Sequence, residues 1–442
     1  MVSKKLALIV ILIGFISAIL GSMLTYFSLK KETEIQEPEA NILIIYHWWV
    51  SPGEEAAIDA LINLFAEKYP GTAIMPTTVR GKSPGGGGVE LFNVIKNMAK
   101  VGEAPDVFQM NGGYSGKTFY DEGYLKQIDY LWESEGLENI IPSIVQDLCK
   151  FDGHYYSVPV GIHRNNVVWY NKHLLEENGI DPNSLTTWDA FFNACDKLKA
   201  AGIEYPIQMG PAWTAELVFE GIAAGTDLKF YEDLINGRVT SPSDERLLRT
   251  LEIFKKYLSY VNPDNEKITW DEAIKRIMNR EGAFNIMGDW ANGEFKAKGM
   301  VYGVDYGTIP VPGTNDMYSV CADVFLQPKN AHHPLNADRW FRMVVSRDGQ
   351  DTFNPLKGSI SARTDANITK YDAYQKSAIT DFWKVRYMYP TLSNGVPKAF
   401  EIKIQEILAE FIKDLNVSKA ASAIASYTQE ISNMFTIRWS IV

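Results

Sequence analysis

The 442 residues are 46% hydrophobic and 22% charged, enough apolar material for a large core and for two or three domains. A net charge of -11 argues against a nucleic-acid binder, which needs a basic stripe for phosphates. Three cysteines (Cys149, Cys195 and Cys321) with no CxxC pattern signal neither zinc nor a disulfide scaffold, leaving three buried thiols or a single disulfide.

In chain order, Lys4 and Lys5 precede an uncharged run over 6–29, closed by Lys30 and Lys31 and then four glutamates. About 24 residues at helical rise span roughly 36 Å, enough for a bilayer. The run is expected to be a signal-anchor over 1–31, with Gly21-Ser22 as a cleavage alternative and 32–40 as an acidic tether. Everything beyond it is then extracytoplasmic. A β-rich run over 41–46 leads through Ser51-Pro52-Gly53 into a helix. That helix carries Ala57, Ile58, Leu61, Ile62, Leu64 and Phe65 as its apolar stripe and stops at Pro70-Gly71. A strand at 73–79, a glycine-dense loop at 83–88, a helix over 89–100 and a strand at 107–110 follow. This alternation predicts an α/β fold with a parallel sheet, whose ligands sit beyond the carboxyl ends of the strands. Later strands are expected at 155–160, 167–170, 281–287, 306–312 and 319–326, with Leu185-Thr186-Thr187-Trp188-Asp189 opening a helix on a Thr cap and 398–436 helical.

Two of those strand ends carry unusual chemistry. Tyr46-His47-Trp48-Trp49 ends the first, and Gln109-Met110-Asn111-Gly112-Gly113 ends the third. Flat aromatics beside amides suit a ligand that is polar at its edges and weakly apolar on its faces, as a sugar ring is. Trp48 and Trp49, adjacent in a strand, would point to opposite faces, but at a strand end both can turn toward a cleft. One core and one surface tryptophan is the alternative. Gln109 and Asn111 alternate and so can share a face, or can cap the loop. Glu54 opens a helix and complements its dipole. The glycine run lacks the GxxxxGK[ST] pattern of a phosphate loop.

Taken together, Trp48-Trp49 with Glu54, Ala104-Pro105-Asp106-Val107-Phe108-Gln109, Tyr156-Ser157-Val158-Pro159-Val160, Trp169-Tyr170-Asn171-Lys172, Thr187-Trp188, Met287-Gly288-Asp289-Trp290 and Asn354-Pro355-Leu356-Lys357-Gly358 resemble the extracellular solute-binding proteins of carbohydrate ABC transporters. The resemblance runs over nearly all of 41–442 and is strongest to the monosaccharide-binding, glucose-type members. It implies a two-lobed periplasmic-binding-protein-like clamshell of type II, each lobe a central sheet flanked by helices, preceded here by the transmembrane helix. Crossings near 158–162, 320–323 and 357–361 would divide the chain into one lobe of 41–160 plus 322–358 and another of 161–321 plus 359–442. The implied protein is a monomer without cofactor, metal or catalysis, which captures a sugar and presents it to permease subunits at the membrane.

The resemblance also makes Glu54 an acceptor for sugar hydroxyls, and Trp213 and Trp290 stacking aromatics of the second lobe. Trp270 reads instead as a packing residue at a helix start. Asp289 belongs to the Gly-Asp-Trp motif. His163 follows the first crossing, as hinge support or sugar contact. Asp323 and Lys357 are charged hydrogen-bonders near the second and third crossings. Asn111 and Asn394 stand where relatives carry histidine, two departures that bear on which sugar fits. A glycoside hydrolase would need paired carboxylates, for which Glu54, Asp289 and Asp323 are available, although their spacing selects no pair. A membrane-anchored sensor or adhesion ectodomain is the third reading.

Overall fold

The computed structural model describes residues 41–81 and 86–441; the expected signal-anchor and tether lie outside them. Among the described residues no helix is long and apolar enough to cross a membrane. The chain opens with β1 (Ile42–His47), whose burial alternates strictly, Leu43, Ile45 and His47 facing inward. Helix α1 (Pro52–Lys68) follows, with proline in its first turn and Lys68 in its last. It buries Ala57, Ile58, Leu61 and Phe65, four of the stripe residues expected from the sequence. Then come β2 (Ala73–Thr78), α2 (Gly88–Val101), β3 (Val107–Asn111) and α3 (Tyr114–Asp121). β1 pairs in parallel with β2 on one side and with β3 on the other, as the strand–helix alternation requires.

The rest of the main sheet comes from distant sequence. β4 (Ser157–Arg164) is longer than expected, and its chain turns at Asn165-Asn166 into β5 (Val167–Asn171). Helix α4 (Ala212–Thr226) and α5 (Trp270–Met278) precede β6 (Phe284–Ile286), which is only the middle of the stretch expected at 281–287. Next are α6 (Ala291–Ala297), β7 (Tyr306–Pro310), β8 (Met317–Leu326), α7 (Arg347–Lys357), β9 (Tyr387–Pro390) and the one-turn α8 (Leu392–Gly395). The region expected to be helical at the C-terminus is two helices, α9 (Lys398–Asp414) and α10 (Val417–Glu430). They are separated by Leu415 in the left-handed conformation, φ 51°.

β8 organises the architecture. Along one edge it pairs antiparallel with β4 from Val320↔Arg164 to Leu326↔Ser157, with a bulge between Asp323 and Val324. Its other edge is divided: residues 317–320 pair in parallel with β9, and 323–326 pair antiparallel with β3. The main sheet is therefore mixed, not purely parallel. β5 is the centre of a second, three-stranded antiparallel sheet between β6 and β7. Near the third expected crossing, Ile162 and Ile360 exchange both backbone hydrogen bonds at 2.9 Å. All three cysteines are buried and free.

Candidate ligand-binding cleft

A cavity of about 380 Å³ lies where these strands end. That size is within the usual range for small-molecule sites. Trp48 enters it directly after β1, Asn111 from the end of β3, His163 and Asn165 from the end of β4, and Cys321 and Asp323 from β8. Glu54 from the first turn of α1, Lys357 from the last turn of α7, Trp290 and Trp213 complete the residues expected there. Gly87 is required by the packing: a Cβ on it would come within 2.4 Å of the Cβ of Trp48. Only glycine lets this loop close over the indole.

Glu54 serves two roles at once. Its Oε2 accepts the backbone N–H groups of Val50 (3.2 Å) and Ser51 (3.4 Å), satisfying donors at the helix start. Its Oε1 lies 2.8 Å from the Lys357 ammonium, and both side chains are buried. Lys357 also lies over the Trp290 ring at 5.4 Å, so a desolvated cation meets a carboxylate and a π face together. Beneath them, His163 bridges two aspartates. Its Nδ1 is 2.5 Å from Asp289 Oδ1, and its Nε2 is 3.6 Å from Asp323 Oδ2. Burial opposes charging His163, but Asp289 and Asp323 together outweigh it and raise the imidazole above its ordinary value. Burial likewise raises the Asp289 carboxyl, against the pull of His163. Asn111 Nδ2 donates to Asp323 Oδ1 at 3.3 Å, which orients that carboxylate at the cavity floor.

Four residues expected in the site stand behind its lining. Trp49 is wholly buried, edge-on to Phe325 and 4.9 Å from the Phe353 ring. It continues the inward parity of Leu43, Ile45 and His47, so it packs the core while Trp48 faces the cleft. Gln109 is also fully buried, and its Oε1 accepts the Trp48 N–H at 3.1 Å. Asp289 is covered by His163 and takes the Arg164 N–H at 3.0 Å. Asn394 spends its amide on the carbonyls of Gly112 (3.0 Å) and Ala322 (3.1 Å), leaving Ser393 to face the cavity. Gln109 and Asp289 hold the lining residues Trp48 and His163 directly, whereas Trp49 and Asn394 pack behind them. Trp270, expected to pack, does so edge-on to Trp290 and reaches the cavity as well.

The sequence reading missed a whole wall. α4 contributes Glu216 and Glu220, one turn apart, and α9 contributes Lys398, Glu401 and Gln405 at the same spacing. Glu216 Oε2 accepts from the Gln405 amide at 2.6 Å. Glu220 accepts from the Ser319 hydroxyl (2.6 Å) and the Leu392 N–H (2.9 Å), and Lys398 pairs with Glu401 at 2.8 Å. Burial pushes Glu220 up to about 7 and raises Glu216 and Glu401 as well, Glu216 further because Glu401 is beside it. The signal in the sequence was the pair of glutamates inside the otherwise apolar run of 212–226.

Among the described residues no group of His, Cys, Asp or Glu is placed to hold a metal. Of the carboxylates available for hydrolysis, Asp289 is shut under His163 and Glu54 is engaged by Lys357. The model of the bacterial extracellular solute-binding proteins matches residues 49–351. The chain belongs to that family. An uncharacterized ABC transporter extracellular-binding protein of Pyrococcus horikoshii is 39% identical to it over 435 residues, covering 96% of each chain. A probable sugar-binding periplasmic protein of Rhizobium meliloti is 28% identical, covering 86% of this chain and 92% of its own. The bacterial solute receptor AcbH, described with an exclusive preference for β-D-galactopyranose, superposes with a TM-score of 0.78 at 16% identity. That match covers 88% of this chain and 99% of AcbH, and at such low identity it speaks to the fold alone. This solute-binding protein thus has the α/β, two-lobed periplasmic-binding-protein fold. The cavity described above lies where β4 and β8 run together, the strands expected to cross between lobes.

One residue behind the cleft sets a pH response. Burial of His47 lowers its pKa from 6.5 to about 4, with Glu54 and Asp59 opposing. The unfolded chain therefore binds this proton first as the pH falls. The site's contribution is whole above about 6.5 and declines until about pH 4, a span worth about 3 kcal/mol. Urea unfolding at the two ends of that window should show His47→Gln losing about 3 kcal/mol less than the parent. An equal loss in both would place the acid sensitivity elsewhere.

Proposed function

We propose that this protein is the extracytoplasmic receptor of an ABC-type sugar importer, without catalysis, and that its ligand is glucose or a related monosaccharide. The observation that carries the reading is the placement of Trp48, Trp213 and Trp290 around one cavity with Glu54, Asn111, His163, Asp323 and Lys357. Indole faces match the C–H faces of a pyranose, and charged groups grip its hydroxyls more strongly than neutral ones do. The named sugar-binding relative and the family's extracellular setting support the same reading. On this reading a monomeric receptor is tethered through residues 1–31, and its lobes divide near 158–162, 320–323 and 357–361. Ligand bridging the lobes stabilises the closed state, which a membrane permease then recognises.

Titration calorimetry with a panel of mono- and disaccharides tests this. Micromolar or tighter binding of one sugar, with the sugar recovered intact, is the expected result. Steady release of hydrolysed glycoside would replace the receptor with an enzyme.

A further inference from the structure

The two sides of the cavity differ in charge. On the floor each ionic group has an opposite or hydrogen-bonding neighbour: Glu54 with Lys357, and Asp323 with Asn111 and His163. On the α4–α9 wall three carboxylates are buried, Glu216, Glu220 and Glu401, and the single buried ammonium beside them is that of Lys398; Glu406, at the exposed end, pairs with Lys403. Lys398 is already engaged by Glu401 Oε1, and the Gln405 amide that holds Glu216 is neutral. Glu401 is only 4% exposed, and its second oxygen, Oε2, has no hydrogen-bond partner among the described residues. A buried carboxylate oxygen left unpaired is costly, and a wall carrying it beside Glu216 is short of positive charge.

We propose that the missing charge arrives with the ligand: the sugar bound here carries a protonated amine, as an amino sugar or an amino-sugar glycoside does, and its ammonium sits against Glu216 and Glu401. This rests on the sugar-receptor reading and narrows it. A metal ion is a poor substitute, since the described carboxylates are not grouped as metal ligands. Trp213 lines the same wall, and its ring adds a face attractive to an ammonium.

The full chain is titrated near neutral pH with matched pairs: D-glucosamine against D-glucose, and the deacetylated disaccharide of chitin against cellobiose. N-acetyl-D-glucosamine, with its charge removed, is the control. The expected result is about tenfold or tighter binding of the amine over its hydroxyl counterpart in at least one pair, with the preference lost on acetylation. In Glu216→Gln or Glu401→Gln the ratio of the two affinities falls toward one. Because the preference is read first in the unmodified protein, a variant that fails to fold does not blunt the test. Equal or tighter binding of the neutral sugars would overturn the amine and leave the sugar receptor standing. Silence from every saccharide would remove both.

Discussion

Trp49→Ala should destabilise the protein by about 3–5 kcal/mol, whereas its neighbour Trp48→Ala should leave unfolding nearly unchanged and weaken ligand binding by more than about 1 kcal/mol. The difference follows from one residue of register. Trp49 fills space between Phe325 and Phe353 with no exposed surface, and no neighbouring side chain can collapse into the volume of an indole. Trp48 lies in the cavity, its backbone held by Gln109, so truncation removes the aromatic face offered to the proposed ligand without opening the core. Denaturant unfolding and calorimetric titration of the two variants separate the outcomes. Equal stability losses would mean that both indoles are core and that the stacking argument fails.

Lys357→Met should cost about 3–5 kcal/mol, because it leaves Glu54 as an uncompensated carboxylate in a buried site. Most of that loss belongs to the stranded charge rather than to the value of the pair. Adding Glu54→Gln to Lys357→Met should therefore restore stability by at least about 1–2 kcal/mol over the single variant. A double-mutant cycle by urea unfolding gives the sign directly. Additive losses would show that the two side chains act independently, which their 2.8 Å separation argues against.

Much of this cleft was legible in the sequence, and its gaps have physical causes. The β1–α1–β2–α2–β3 alternation gave a parallel run with its ligand edge at the carboxyl ends, and Trp48, Glu54 and Asn111 lie there. Trp49 packs in the core rather than lining the cleft: residues 43, 45 and 47 face inward, and 49 shares their parity. Gln109 rests on its strand-end position, and Asp289 and Asn394 on the family resemblance, neither of which distinguishes a side chain that meets ligand from one that holds its neighbour. The α4–α9 wall was missed for another reason. Its glutamates lie one helical turn apart in a run that otherwise reads as core, and only the packing of two helices remote in sequence makes them line a cavity. The mixed pairing of β8 was hidden likewise, since its partners β3, β4 and β9 are remote in sequence.

The continuity of β4 and β8 has a thermodynamic consequence. Every residue of β4 is buried, and β8 pairs with it over 320–326 while serving β3 at one end and β9 at the other. Neither half of the molecule can melt without breaking strands on which the other half depends. A single calorimetric transition with equal calorimetric and van't Hoff enthalpies is therefore expected, despite the two-lobed shape. The amides of 157–164 and 317–326 should be the last to exchange with solvent. On the proposed reading, in which these two strands join the lobes, opening of the cleft proceeds by bending a ladder that stays hydrogen-bonded rather than by local unfolding.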